Sequence, residues 1–168
     1  MQTQTANILV LGVGNILLKD EGVGVHVVWE MLKLALPTNV EVIDGGTAAL
    51  DVLITRPGLH KLIVIDAVRA GEKPGTIYKI RFKTGEKNRL AELFTGHEGS
   101  KISLHQIGLL EALAAAEKTA GSPDEIVIIA VEPAELDCGL ELTEKIKQRI
   151  PEIINIVVEE TEDAVHER

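Results

Sequence analysis

The stretch Asn7-Ile8-Leu9-Val10-Leu11-Gly12-Val13-Gly14-Asn15 decides the fold. Its apolar run, rich in β-branched and leucine side chains, has no polar alternation and stops at Gly14-Asn15. A strand without a solvated side must be covered on both faces, which is the condition of a parallel-sheet strand between helices. Leu62–Ile65 and Glu125–Val131 read the same way, and Val40–Ile43 is a further strand. Gly75–Phe82 differs, because Ile77, Ile80 and Phe82 stand among polar residues. That pattern predicts a half-solvated, antiparallel strand at the sheet edge.

Between these strands the apolar period changes to that of a helix. Val23, Val27, Val28, Met31, Leu32 and Leu34 form one broad stripe over Val23–Ala35, closed by Pro37. Thr47 is the expected N-cap of a helix running through Ala48, Leu50, Val52–Ile54 and Arg56. Ser103 is the expected cap of a helix over His105–Lys118. Leu142–Val158 predicts a last helix, kinked or restarted at Pro151 and followed by a frayed acidic tail that includes His166. The fold class is therefore α/β: a three-layer α/β/α sandwich with a mostly parallel twisted sheet and one antiparallel edge strand. With no linker or repeat, residues 1–168 read as a single domain with its core at about 7–160.

Composition narrows the function. The chain has 168 residues, and 17 Lys+Arg against 26 Asp+Glu give a formal charge of −9. One cysteine, Cys138, excludes an internal disulfide framework and any Cys-rich zinc or iron–sulfur site, and it fits a reducing compartment. Four aromatic residues and an acidic balance make a poor nucleic-acid surface. No apolar run approaches the roughly 18 residues of a membrane span, and Met1–Ala6 does not read as a signal peptide. A cytoplasmic, monomeric chain is the expectation.

Ligands of such sheets bind beyond the carboxyl ends of the strands. That rule selects Asp20-Glu21 after the first strand, Asp44-Gly45-Gly46-Thr47 after the second, Asp66 at the end of the third, and His105 at a helix start. Carboxylates and an imidazole converging on one crevice suit a transition metal, and three protein ligands leave positions open for others. Each also has a plainer reading. Glu21 sits where a helix dipole favours an acid, Asp66 could form a turn, and His105 could bond within its loop. His26 and His60 read as satisfied or solvated, His97 stays ambiguous, and Cys138 reads as structural. Gly12-Val13-Gly14 lacks the third glycine of a dinucleotide fingerprint, and no phosphate loop or nucleophile elbow is present, so no organic cofactor is expected.

Four blocks carry a resemblance. Gly12-Val-Gly-Asn15-Ile-Leu-Leu-Lys-Asp20-Glu21-Gly22-Val-Gly24-Val25, Asp44-Gly-Gly-Thr47, Leu62-Ile-Val-Ile-Asp66-Ala67 and Ser103-Leu-His105-Gln106-Ile-Gly108-Leu109 occur in order across residues 7–160. Together they resemble the signatures of the [NiFe]-hydrogenase maturation endopeptidases, with Lys19 at a variable position of the first block. The resemblance implies a protease that removes a short C-terminal peptide from the nickel-loaded precursor of a hydrogenase large subunit. It implies metal ligation by Glu21, Asp66 and His105, with nickel supplied by the substrate and other divalent ions able to substitute. Asp44 or Asp66 would activate water, in keeping with an aspartic-type grouping of the family. The competing expectations are a nickel carrier without protease activity and a non-enzymatic, flavodoxin-like binding domain.

Overall fold

Strands and helices alternate from the first residues of the computed structural model, which describes residues 7–83, 86, 111, 113–115, 118 and 121–166. The side chains of Leu50 and of residues 163–166 fall outside that description. The elements are β1 (Ile8–Val13), a 3₁₀ turn (Lys19–Gly22), α1 (Val23–Met31), β2 (Val40–Gly46), α2 (Ala49–Ile54), β3 (Lys61–Ala67), β4 (Ile77–Lys83), β5 (Glu125–Val131), α3 (Glu144–Lys147) and α4 (Ile150–His166). The sheet order is β2-β1-β3-β5-β4. The first four strands in that order run parallel, and edge strand β4 pairs antiparallel with β5. The expected α/β architecture with one antiparallel edge is what forms.

The unbroken apolar runs behave as their composition requires. Every residue of β1, β3 and β5 is buried, while β4 is mostly half-buried or exposed. On one sheet face Leu9, Leu11, Leu62, Val64, Ile126 and Ile128 pack with Leu53 of α2 and with Leu113. On the other, Ile8, Val10, Ile63, Ile65, Val127 and Ile129 pack with Val27, Val28 and Met31 of α1 and with Ile153 and Val157 of α4. These are the three layers. Of the helix expected over residues 105–118, residues 111, 113–115 and 118 are helical, and the rest of that expectation lies outside the described residues.

Several boundaries differ from the sequence reading. Helix α1 stops at Met31, and the chain turns through Lys33 N–H to Glu30 and Leu34 N–H to Met31. Leu32 and Leu34, read as stripe residues, are therefore exposed at 58 and 47 %. Thr47 does not cap α2: the N-cap position is Ala48, without a side-chain cap bond. There the turn is closed by the backbone, with Ala48 N–H donating to Gly45 at 2.7 Å and Gly46 at φ +46°. Pro151 restarts the last helix in its first turn, where its missing N–H is harmless. That helix runs on to His166, with Glu160 and Thr161 each 1 % exposed.

Glu160 explains the extension. At the amino ends of β3 and β5, Lys61 is buried and reaches Glu125 at 2.9 Å and Glu160 at 3.3 Å. Arg81 of β4 bonds Glu125 at 2.6 Å and Glu160 at 2.7 Å, and Lys79 adds a contact to Glu160 at 3.0 Å. Burial alone would push both carboxyls up, but the Lys61, Arg81 and Lys79 cations outweigh it and hold them below the ordinary range.

Candidate active site at the switch point

From β1 the chain moves outward to β2 and returns on the other side of β1 as β3. The strand order therefore reverses between β1 and β3, and the carboxyl ends at such a switch point are where open α/β sheets take up ligands. The first signature block shapes that point. A Cβ on Gly12 would lie 2.3 Å from the Gly24 carbonyl oxygen, and one on Gly24 would lie 2.1 Å from the Ile65 oxygen. Only glycine lets the start of α1 come down directly on β1 and β3, and that contact carries the 3₁₀ turn with Glu21 to the end of β3.

Asp66 waits there, 3 % exposed. Its Oδ1 accepts the Ala67 N–H at 2.8 Å. Its Oδ2 is buried and makes no hydrogen bond among the described residues. Burial drives its pKa well above the ordinary carboxylate value; the Ala67 N–H opposes this and the nearby Glu21 charge adds to it. Burial beside a second carboxylate opposes ionisation of Asp66, an opposition that a bound cation would relieve. Glu21 is half-buried. His105, the third expected ligand, and His97 lie outside the described residues, and among the described residues no three His, Cys, Asp or Glu side chains form a metal group.

Asp44 occupies a different place. Its Oδ2 accepts the Trp29 indole N–H at 2.9 Å and its Oδ1 accepts the Gly46 N–H at 3.0 Å. In register Asp44 stands level with Gly12, which stands level with Ile65. Asp66 is one residue further, so side-chain alternation sends the two acids toward opposite sheet faces, with two strand spacings, about 10 Å, between β2 and β3. The fold thus brings Glu21 to Asp66 and keeps Asp44 with α1. His26 packs against Trp29 at 5.0 Å, and burial lowers its pKa, so it is neutral. The ring is half-buried and donates a hydrogen bond to the Leu140 backbone, which opposes that shift, while its Nε2 is buried without a partner among the described residues. His60 is satisfied by Asp124 at 2.9 Å, and Cys138 is exposed.

Two further acids follow the carboxyl ends of β1 and β5: Asp20, selected with Glu21 from the sequence, and Glu132, which the strand-end rule did not pick out. Asp20, fully buried, accepts from Ala134 N–H, Glu135 N–H and the Thr143 hydroxyl at Oδ2, each at 2.9 Å, and from Thr143 N–H at Oδ1, 2.7 Å away. Glu132 accepts from Ala70 N–H at 2.9 Å, Gly71 N–H at 3.2 Å and Tyr78 O–H at 3.1 Å. Burial and the Glu132 bond push the Tyr78 phenol up to about 12. The sequence selects Asp20 by its place after β1 but not by its partners, which lie more than 110 residues away.

The hydrogenase maturation protease family model matches residues 25–160. The chain belongs to the hydrogenase maturation protease family. It is 38 % identical over 156 residues to the hydrogenase expression/formation protein HupD of Bradyrhizobium diazoefficiens, covering 92 % of this chain and 77 % of that one. It is 37 % identical over 145 residues to the hydrogenase 2 maturation protease of Escherichia coli, covering 85 % and 83 %. The fold superposes on the hydrogenase maturating endopeptidase HybD of E. coli with a TM-score of 0.80 at 34 % identity, over 94 % of this chain and 93 % of that one. Family membership makes this chain a peptidase of hydrogenase maturation and sets aside the non-enzymatic binding domain. No helix among the described residues is long and apolar enough to cross a membrane.

Proposed function

We propose that this protease trims the C-terminal peptide from the nickel-loaded precursor of a [NiFe]-hydrogenase large subunit in the cytoplasm. The observation that carries the reading is Asp66: a buried carboxyl with one oxygen unbonded among the described residues, next to Glu21, at the switch point. Glu21, Asp66 and His105 would complete the coordination of nickel that arrives on the precursor's own soft ligands. The ion then works as a tether. It holds the scissile bond in the crevice and supplies the orientation term of catalysis. Burial opposes ionisation of Asp66 in the free chain, and the cation brought by the precursor would favour its carboxylate form.

For water activation the geometry favours a group on the Asp66 side of the sheet over Asp44, whose two oxygens hold Trp29 and Gly46. An aspartic-type pairing of Asp44 with Asp66 has the register against it. The deciding experiment incubates the chain with nickel-loaded and nickel-free precursor and follows mass. Shortening of the loaded form only is expected. Nickel uptake without shortening establishes the carrier reading, and equal cutting of both forms removes nickel from recognition. Because His105 must be neutral to ligate, trimming should also fade below about pH 6; full activity at pH 5 counts against ligation.

A further inference from the structure

The carboxylate beside Glu21 is more completely engaged than a turn residue needs to be. Asp20 lies in the same 3₁₀ turn, is fully buried, and takes four hydrogen bonds from three residues of the loop that leaves β5. The backbone repeats the connection: Lys19 N–H donates to Gly139 at 2.9 Å, Gly139 N–H to Leu17 at 2.9 Å, and Asp20 N–H to Glu135 at 3.2 Å. The Lys19 ammonium pairs with the Glu135 carboxylate. Lys19 itself is held at φ +43°, a conformation that a lysine keeps only when its surroundings impose it. Every contact ties residues 17–20 to residues 134–143, and Glu21 is the next residue along.

We propose that Asp20 is the positioning residue of the site: its bonds to Ala134, Glu135 and Thr143 lock the turn that presents Glu21 to Asp66. The loop after β5 is then part of the metal-handling machinery without contributing a ligand. This rests on the reading of Glu21 and Asp66 as ligands. Groups that orient ligands from behind typically change metal affinity by roughly 10–100-fold when removed. Asparagine is the informative replacement, because it keeps the size and the Oδ1 acceptor but turns a donor toward the two N–H groups and the hydroxyl that Oδ2 accepts.

The test is a double-mutant cycle on the full chain, with Ni²⁺ alone as the probe in titration calorimetry. Asp20→Asn in the natural background should weaken Ni²⁺ binding at least tenfold. In the Glu21→Gln background it should change binding less than twofold, because there is no longer a ligand to position. Equal weakening in both backgrounds, or no weakening in the natural one, overturns the proposal. If Asp20→Asn does not fold, Thr143→Val removes one donor only and should give a smaller loss with the same dependence on Glu21. Loss that ignores Glu21 overturns it again. A natural chain that takes up no Ni²⁺, or a Glu21→Gln chain that binds it unchanged, sinks the ligand reading and this inference with it. The separate outcome in the Glu21→Gln control tells the two failures apart.

Discussion

Asp66 sets a conflict between stability and function that a pH series can expose. Its pKa is raised in the folded chain, so its favourable contribution is complete below the unfolded carboxyl range and is lost as pH rises through the folded value. The metal-free chain should therefore shed stability with a slope of up to about 1.4 kcal/mol per pH unit from this one group. Asp66→Asn removes the ionisation while its side-chain oxygen still accepts the Ala67 N–H. Its urea midpoint relative to the natural chain should rise between pH 5 and pH 8, while precursor trimming disappears. A constant difference across that range would mean that Asp66 ionises normally. Glu21→Gln should likewise abolish trimming with the fold intact by circular dichroism. Asp66 was legible in the sequence because an acid ends an otherwise apolar strand, and Glu21 because it follows the glycine block. Asp20 was selected beside Glu21, but its burial and its bonds were not legible, because its donors come from the far end of the chain.

Among the elements, α1 depends most on contacts that only small residues allow. Gly24 meets the Ile65 oxygen at 2.1 Å and the Val13 oxygen at 2.5 Å for an added Cβ, and both are backbone atoms that cannot swing aside. Gly24→Ala should cost about 3 kcal/mol, at the upper end of overpacking penalties, despite alanine's better helix propensity. It should also lower trimming in the folded fraction, because lifting α1 moves Glu21 away from Asp66. A thermal midpoint that rises, as propensity alone would give, refutes the close approach. The three central strands were readable because burial on both faces leaves an unmistakable run, as at Leu62–Ile65, while the half-buried edge strands β2 and β4 mix apolar with polar residues. Helix ends were less so. Leu32 and Leu34 continue the apolar period, and nothing local says that the layer beneath them has run out. Thr47 looks like a cap, yet the Gly45–Ala48 backbone turn takes that place.

Across the whole molecule, chemistry and anchorage occupy opposite ends of the same strands. Asp66 stands five residues from Lys61 on β3, about 17 Å along the strand, and the Lys61 end holds the buried ion network that pins α4 to the sheet. Removing Glu160 takes one of two carboxylate partners from the buried Lys61 and from the more exposed Arg81, and breaking such a buried pair typically costs up to about 3–5 kcal/mol. Glu160→Gln should show that loss near pH 7, since Glu160 faces Lys61, Lys79 and Arg81. The sign with pH follows from the direction of the shifts. Glu125 and Glu160 are held below the ordinary glutamate value of about 4.3, so their contribution is complete above it and vanishes as pH falls through the lowered values. The penalty for Glu160→Gln should accordingly shrink on acidification below about pH 4, when the natural chain loses the same interactions. Per folded molecule, trimming should be unchanged, because the network lies at the amino ends of the strands and the candidate site at the carboxyl ends. Denaturant titration with a parallel trimming assay checks both halves. Stability loss that persists unchanged at low pH would contradict the electrostatic origin, and trimming lost at full folding would show that the two ends of the sheet are coupled.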